Sequence, residues 1–136
     1  MKRVDVAYAL VFDEVEQKVL MVKNRGRDWS LPGGAVEKGE TFAQAAIREC
    51  KEETNVTIEV ETIVAVNEAF FEKEAHHALF LTFKAKVVEG SIRVVHKDEI
   101  EEIKWVDYET ADGWMPYHAN GVERLLQASA PYTFQG

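Results

Sequence analysis

Three glutamates, Glu49, Glu52 and Glu53, carry the chemistry that is easiest to read in this chain. They follow a segment, Leu31-Pro32-Gly33-Gly34, whose two glycines are expected to let the backbone turn tightly and approach a ligand, in a run whose pattern fits a helix from about residue 42 to 54. Side chains three and four positions apart share a helix face, so the spacing places the carboxylates on one patch while Ala43, Ile47, Cys50 and Thr54 line another. Clustered carboxylate oxygens are hard ligands suited to Mg²⁺, with Mn²⁺ as a substitute. Read as an ordinary exposed helix, Arg48, Lys51 and Glu52 would only make intrahelical ion pairs. The glycines ahead of the helix and Glu40 between them favour the site.

The helix has a start and a stop. Thr41 with Gln44 three residues later is a capping box. Asn55 is suited to the left-handed backbone that ends a helix, being the next best residue after glycine for it.

Gly34, Glu40 and the run Arg48-Glu49-Cys50-Lys51-Glu52-Glu53-Thr54-Asn55-Val56 resemble, at these intervals, the Nudix box of the Nudix (MutT-like) hydrolases. Two positions depart from it: Cys50 stands where an aliphatic residue is usual, and Asn55 replaces the final glycine. Neither touches the carboxylates. The resemblance implies an α+β fold, an α/β/α sandwich with a mixed sheet and the box helix on one side. It implies that Glu49, Glu52 and Glu53 hold one or more Mg²⁺ ions, that the Gly33 carbonyl completes the metal shell, and that Glu40 and Arg48 pair across loop and helix. The implied reaction is hydrolysis of a phosphoanhydride in a nucleoside diphosphate linked to another group, the metal neutralising the diphosphate and lowering the pKa of bound water. Some members use an acid outside the box as general base; Glu99, ahead of Glu101, Glu102 and Trp105, is the candidate here, against the alternative that all three acids simply solvate an edge.

Substrate signals outside the box are fewer. Lys23, Arg25 and Arg27 cluster before Trp29 and offer cations to outer phosphates, although solubility explains such a run equally well. Trp29, Phe70, Phe71 and Tyr117 are candidates to stack on a base, with core packing as the competing role. His76 and His77 could contact a ligand but lack partners at zinc-ligand spacing. Cys50 faces the packed side with no assigned histidine, which argues against a thiol nucleophile.

The elements that must position these residues are strands around one or two helices. Val4, Val6, Tyr8, Leu10 and Phe12 alternate as in a half-buried strand, and residues 18 to 24 read as its partner. Two long β-rich runs flank an acidic turn at residues 72 to 74. In the second run Leu79, Leu81, Phe83, Ala85 and Val87 keep period two, with one face on the core. A short strand near Trp105 and a helical tail from Asn120 to about Ala128 complete a single domain over residues 1 to 136.

The composition supports this reading. A chain of 136 residues, 46% hydrophobic, is long enough to bury a core unaided. One cysteine forms no internal disulfide, and the amino-terminal residues lack a signal-peptide pattern, so a cytoplasmic location is expected. No run is long enough to span a membrane. A net charge of -8 offers no broad basic face for a nucleic acid polymer. The expected partner is a small nucleotide, with oligomeric state open: a nucleoside triphosphate, ordinary or oxidised, cut to monophosphate and pyrophosphate. ADP-ribose, a nucleotide sugar or a dinucleoside polyphosphate is the alternative within the same chemistry. A catalytically silent, nucleotide-sensing module is the alternative outside it.

Overall fold

The computed structural model describes residues 1–136. Strands β1 (Lys2–Asp13) and β2 (Lys18–Asn24) form a hairpin, followed by the short strands β3 (Trp29–Ser30) and β4 (Gly33–Ala35). Helix α1 (Phe42–Thr54) leads to the long strands β5 (Thr57–Phe71) and β6 (His76–Glu89). Strand β7 (Ile100–Asp107), helix α2 (Tyr108–Trp114) and helix α3 (Gly121–Gln127) close the chain.

The sheet runs β3-β2-β1-β6-β5, with β4 on β1 and β7 on β2. It is mixed: β1 and β6 are parallel from Lys2↔His76 to Val11↔Ala85, and the other pairs are antiparallel. One edge of β1 keeps β6 throughout. The other pairs with β4 at Val6–Tyr8 and with β2 at Phe12–Asp13, so β1 changes partner along its length.

Both faces of the sheet are covered, giving an α+β sandwich. On one face Ala7, Ala9, Val11, Phe83 and Ala85 meet Ala45, Ala46 and Cys50 of α1. On the other, Leu10, Val19 and Met21 meet Ala111, Met115 and Val122 from α2, α3 and the segment joining them. The expectation that β1 is half-buried is therefore corrected. Its smaller residues Ala7 and Ala9 are fully buried, because small side chains on strand and helix together let α1 lie close to the sheet. A side chain the size of Leu10, fully buried, contributes about 1.5–3 kcal/mol.

A second correction concerns the glycines. Gly33 and Gly34 do not form a tight turn but sit in β4, paired to Tyr8 and Ala7. A Cβ at Gly33 would lie 2.3 Å from the Ala7 carbonyl oxygen, so only glycine allows this approach. Helix α2 was not expected from the sequence. Asp107 caps it, its Oδ1 accepting from the Thr110 N–H at 2.8 Å.

Candidate active site

Helix α1 is fixed at both ends, which sets where its carboxylates stand. Thr41 Oγ1 accepts from the Gln44 N–H at 3.0 Å, and Gln44 Oε1 accepts from the Thr41 N–H at 2.9 Å, closing the capping box. Asn55 takes the left-handed conformation, φ 71°, and its N–H donates to the Lys51 carbonyl. Its Nδ2 also donates to the Ser91 carbonyl at 3.1 Å, tying the helix end to the segment after β6.

The last turns of α1 face β4. Glu53 is only 9% exposed, and its Oε1 accepts from the Gly33 N–H at 3.2 Å. Glu49 packs on Gly34 so closely that a Cβ there would lie 2.6 Å from the Glu49 carboxyl carbon. Arg48 binds Glu40 through Nε to Oε2 at 2.7 Å and Nη2 to Oε1 at 2.9 Å, and its Nη2 also donates to the Ala35 carbonyl at 3.1 Å. Its Nη1 donates to Glu49 at 3.0 Å and to the exposed Glu52 at 3.4 Å. One guanidinium thus joins the loop after β4 to the helix and orients Glu49.

This environment acts on the carboxyl groups. Burial pushes Glu53 up to about 8; the Gly33 N–H pulls it back, while Glu49, Glu99 and Glu52 add repulsion. Glu49 is raised too, chiefly by burial and against its Arg48 bond. Glu40 is lowered by the hydrogen bond from Arg48. The acids that rise are those packed beside β4, and the acid that falls holds the loop.

Three box carboxylates occupy one side of α1, but no group of three or more His, Cys, Asp or Glu side chains converges on a common point. Arg48 draws Glu49 and Glu52, while Gly33 holds Glu53. The donor set is hard oxygen throughout, and two of its members are held at raised pKa by burial and mutual repulsion. A divalent cation relieves that repulsion, so the residues fit such an ion.

A cavity of about 770 Å³ opens beside these carboxylates; Tyr8, Arg27, Trp29, Gly33, Glu49 and Glu53 are among its lining residues. Of the four residues expected to bind substrate, Arg27 and Trp29 line it, whereas Lys23 and Arg25 do not. Lys23 Nζ donates to the Arg27 carbonyl, and Arg25 Nε donates to the Lys97 carbonyl at 2.6 Å. Both cations stabilise the loop between β2 and β3. Glu99 is exposed just before β7, close enough for its charge to raise Glu49 and Glu53. Glu101 instead accepts from the Gly26 N–H at 3.0 Å, and Glu102 pairs with Lys104 at 3.3 Å. His76 lines the cavity; His77 pairs with Glu68 at 2.7 Å. Cys50 is fully buried and burial pushes its thiol up to about 11.

Two further lining residues escaped sequence reasoning. Trp114 stacks on Trp29, ring centres 4.5 Å apart and planes 11° apart. Tyr8 stands beside Glu53, and burial pushes its hydroxyl up to about 12. In the sequence Tyr8 is marked only as one position of an alternating strand, and nothing in the spacing of Trp114 links it to Trp29.

The model of the NUDIX domain matches residues 1–128. The chain belongs to the Nudix family. A human protein, "8-oxo-dGDP phosphatase NUDT18", is 27% identical over 98% of this chain and 42% of its own length. "ADP-ribose pyrophosphatase" of Methanocaldococcus jannaschii is 30% identical over 69% of this chain and 57% of its own length. This Nudix chain spans about half the length of such curated relatives. Among solved structures, the MutT protein of Methanosarcina mazei Go1 superposes with a TM-score of 0.76 at 24% identity, covering 93% of this chain and 94% of that one. A MutT Nudix hydrolase from Burkholderia pseudomallei gives 0.70 at 25% identity, covering 77% and 83%. Both carry the mixed sheet with flanking helices found here. Nudix hydrolases generally use divalent metals such as Mg²⁺.

Proposed function

We propose that this Nudix chain is a Mg²⁺-dependent pyrophosphohydrolase acting on a nucleoside triphosphate, ordinary or oxidised, releasing the monophosphate and pyrophosphate. The observation that carries the reading is the placement of Glu49 and Glu53, both at raised pKa, in the wall of a 770 Å³ cavity shared with Arg27 and Trp29. Relatives described as acting on 8-oxo-dGDP, ADP-ribose and, putatively, 8-oxo-dGTP support a nucleotide diphosphate substrate.

Glu49, Glu52 and Glu53 would hold the cation, with the Gly33 carbonyl as a further oxygen ligand. A bound divalent ion would neutralise the diphosphate and acidify an attacking water. Glu40 and Arg48 position Glu49 and the β4 loop. Arg27 contributes positive charge to the distal phosphates from within the cavity. Lys23 and Arg25 act on them only through the loop they hold. Glu99 is the candidate base, exposed at the edge where it can exchange a proton with solvent.

The deciding experiment is a panel of nucleoside triphosphates, oxidised triphosphates, ADP-ribose, nucleotide sugars and dinucleoside polyphosphates, with pyrophosphate and phosphate detection and a chelated control. Pyrophosphate release from triphosphates, lost on chelation, is expected; ¹⁸O-labelled water then shows which phosphorus is attacked. Cleavage of ADP-ribose without triphosphate turnover would overturn the substrate. Full turnover after exhaustive chelation would overturn the mechanism.

A further inference from the structure

Three acids stand at the start of β7, and two of them are already engaged. Glu101 Oε1 accepts from the Gly26 N–H at 3.0 Å, and Glu102 pairs with Lys104 at 3.3 Å. The Glu99 carboxylate makes neither a hydrogen bond nor an ion pair, so the backbone beneath it decides where it stands. Its charge reaches both Glu49 and Glu53, and such an interaction falls with distance.

That backbone is a turn. The N–H groups of Glu99 and Ile100 both donate to the His96 carbonyl at 3.0 Å, and Ile100 is buried. The chain leading into the turn is tied to the end of α1, where the Arg93 N–H donates to the Thr54 carbonyl at 3.0 Å and Asn55 Nδ2 donates to the Ser91 carbonyl at 3.1 Å. Gly90 makes this approach possible. At φ 88° its backbone lies so close that a Cβ would come within 2.9 Å of the Asn55 carbonyl oxygen.

The turn itself is held by Arg25, from the loop between β2 and β3. Arg25 Nε donates to the Lys97 carbonyl at 2.6 Å, its Nη1 lies 3.9 Å from Glu101, and its backbone N–H donates to the Glu99 carbonyl at 2.8 Å. Lys97 and Glu101 are the residues two before and two after Glu99, so one guanidinium brackets it. Its own loop is knit without that side chain. The Arg27 N–H donates to the Asn24 carbonyl at 2.9 Å, and Asn24 Nδ2 donates to the Asp28 carbonyl at 3.0 Å and to Ser30 Oγ at 2.9 Å.

A hydrogen bond from a charged guanidinium is stronger than one between neutral groups, and Arg25 directs its side chain at the turn rather than into the cavity. We propose that Arg25 is a positioning residue: it fixes the turn that carries Glu99, and so the place of the Glu99 carboxylate relative to Glu49 and Glu53, and it acts on turnover through Glu99 alone. The assignment rests on the hydrolase reading in which Glu99 takes the proton of the attacking water.

The test is a mutant cycle in Mg²⁺ on the full chain, with dGTP as substrate and ADP-ribose where dGTP is not cut, together with amide hydrogen exchange without nucleotide. Glu99→Gln should lower kcat by ~100-fold or more, the scale of a general base. Arg25→Ala should lower kcat by ~10-fold, as expected of a displaced catalytic group, and leave KM unchanged. In the Glu99→Gln background Arg25→Ala should cost nothing further, because the group it positions is gone. Arg25→Lys should recover part of the loss, since an ammonium can serve the Lys97 carbonyl but cannot fork to Glu101 as well. Exchange at the Glu99 and Ile100 amides should quicken in Arg25→Ala at an unchanged melting temperature, the Arg25 side chain being 52% exposed.

A raised KM with kcat intact would make Arg25 a phosphate contact and overturn the proposal. So would a ~10-fold loss that persists in the Glu99→Gln background, or unaltered exchange at the two amides. Wild-type turnover in Glu99→Gln overturns both the base and the role of Arg25 while leaving the hydrolase standing. Absence of turnover with every nucleotide overturns the hydrolase reading and the catalytic role of Arg25 with it, and the exchange result then decides separately whether Arg25 holds the turn.

Discussion

Arg48 grips Glu40 with a pair of hydrogen bonds, Nε to Oε2 at 2.7 Å and Nη2 to Oε1 at 2.9 Å, across a loop and the middle of a helix. The same guanidinium reaches Glu49 at 3.0 Å. Fork-to-fork pairing fixes direction as well as distance, so loop, helix and an acid that lines the cavity share one reference point. In a double-mutant cycle, Glu40→Gln and Arg48→Gln should show a coupling of ~1–3 kcal/mol in kcat/KM. Simple additivity of the two losses would mean that the pair does not act as a unit.

Gly34 is a second point of control. An added methyl group would sit 2.6–2.9 Å from the Glu49 carboxylate, and Glu49 must swing away to admit it. Gly34→Ala should therefore cut turnover by at least ~10-fold, equivalent to about 1.4 kcal/mol, with a much smaller effect on the melting temperature. Wild-type turnover in Gly34→Ala would show that the Glu49 position is unimportant.

Glu53 links stability to pH. Its pKa in the fold is about 8 against an ordinary 4.5, so folding favours the protonated acid. The stabilisation is complete below about 4.5 and is lost as pH rises through about 8, a change of at most ~5 kcal/mol. Chelated wild-type protein should melt at falling temperature across that window, Glu49 adding to the trend because its pKa is raised as well. Glu53→Gln, neutral throughout, should flatten most of the slope and melt above wild type at pH 8.5. Mg²⁺ should restore wild type and do little for the variant. An unchanged slope in Glu53→Gln would assign the pH dependence elsewhere.

Asn55 ends the helix with a left-handed backbone and a side-chain bond to Ser91. Asn55→Val should destabilise by at least ~1 kcal/mol, because a branched Cβ is strained at φ 71°. Asn55→Gly keeps the backbone but gives up the bond to Ser91, and should cost about 0.5–1 kcal/mol. Chemical denaturation measures both. A valine variant as stable as wild type would mean that the helix can end another way.

Cys50 should resist thiol reagents in the folded state, being fully buried with a thiol pKa of about 11. Mass spectrometry after alkylation, with and without denaturant, reports this directly. Rapid modification of native protein would show that α1 opens from the sheet.

Helix α1, its capping box and its left-handed end were legible in the sequence because they depend on neighbours in the chain. Thr41 and Gln44 need only each other, and Asn55 needs only the helix before it. The strands carrying Val4 to Phe12 and Leu79 to Val87 were visible for the same reason, through period two. Burial of both faces of β1 was not, since alternation of large and small side chains looks the same whether a helix packs on the small side or water does. The partner of Gly33 was equally hidden, because β4 pairs with a strand far earlier in the chain.

The chemical inventory was settled by residue identity: Glu40, Arg48, Glu49, Glu52 and Glu53 are at the Nudix intervals, and the carboxylate oxygens of Glu49, Glu52 and Glu53 suit a divalent ion. Which acids are buried, and so raised in pKa, was decided by the sheet that α1 packs against. The fate of the basic run shows the same division. Lys23, Arg25 and Arg27 carry the same charge in the sequence, yet backbone carbonyls of their own loop and of Lys97 capture two of them, while Arg27 lines the cavity. Trp29 met Trp114, and Asn67 came to stand beside Phe80, only through pairing and packing between distant segments. Local pattern fixes an element and the type of group it carries. The surroundings of that group, which set its charge state and its reach, come from contacts between segments remote in the chain.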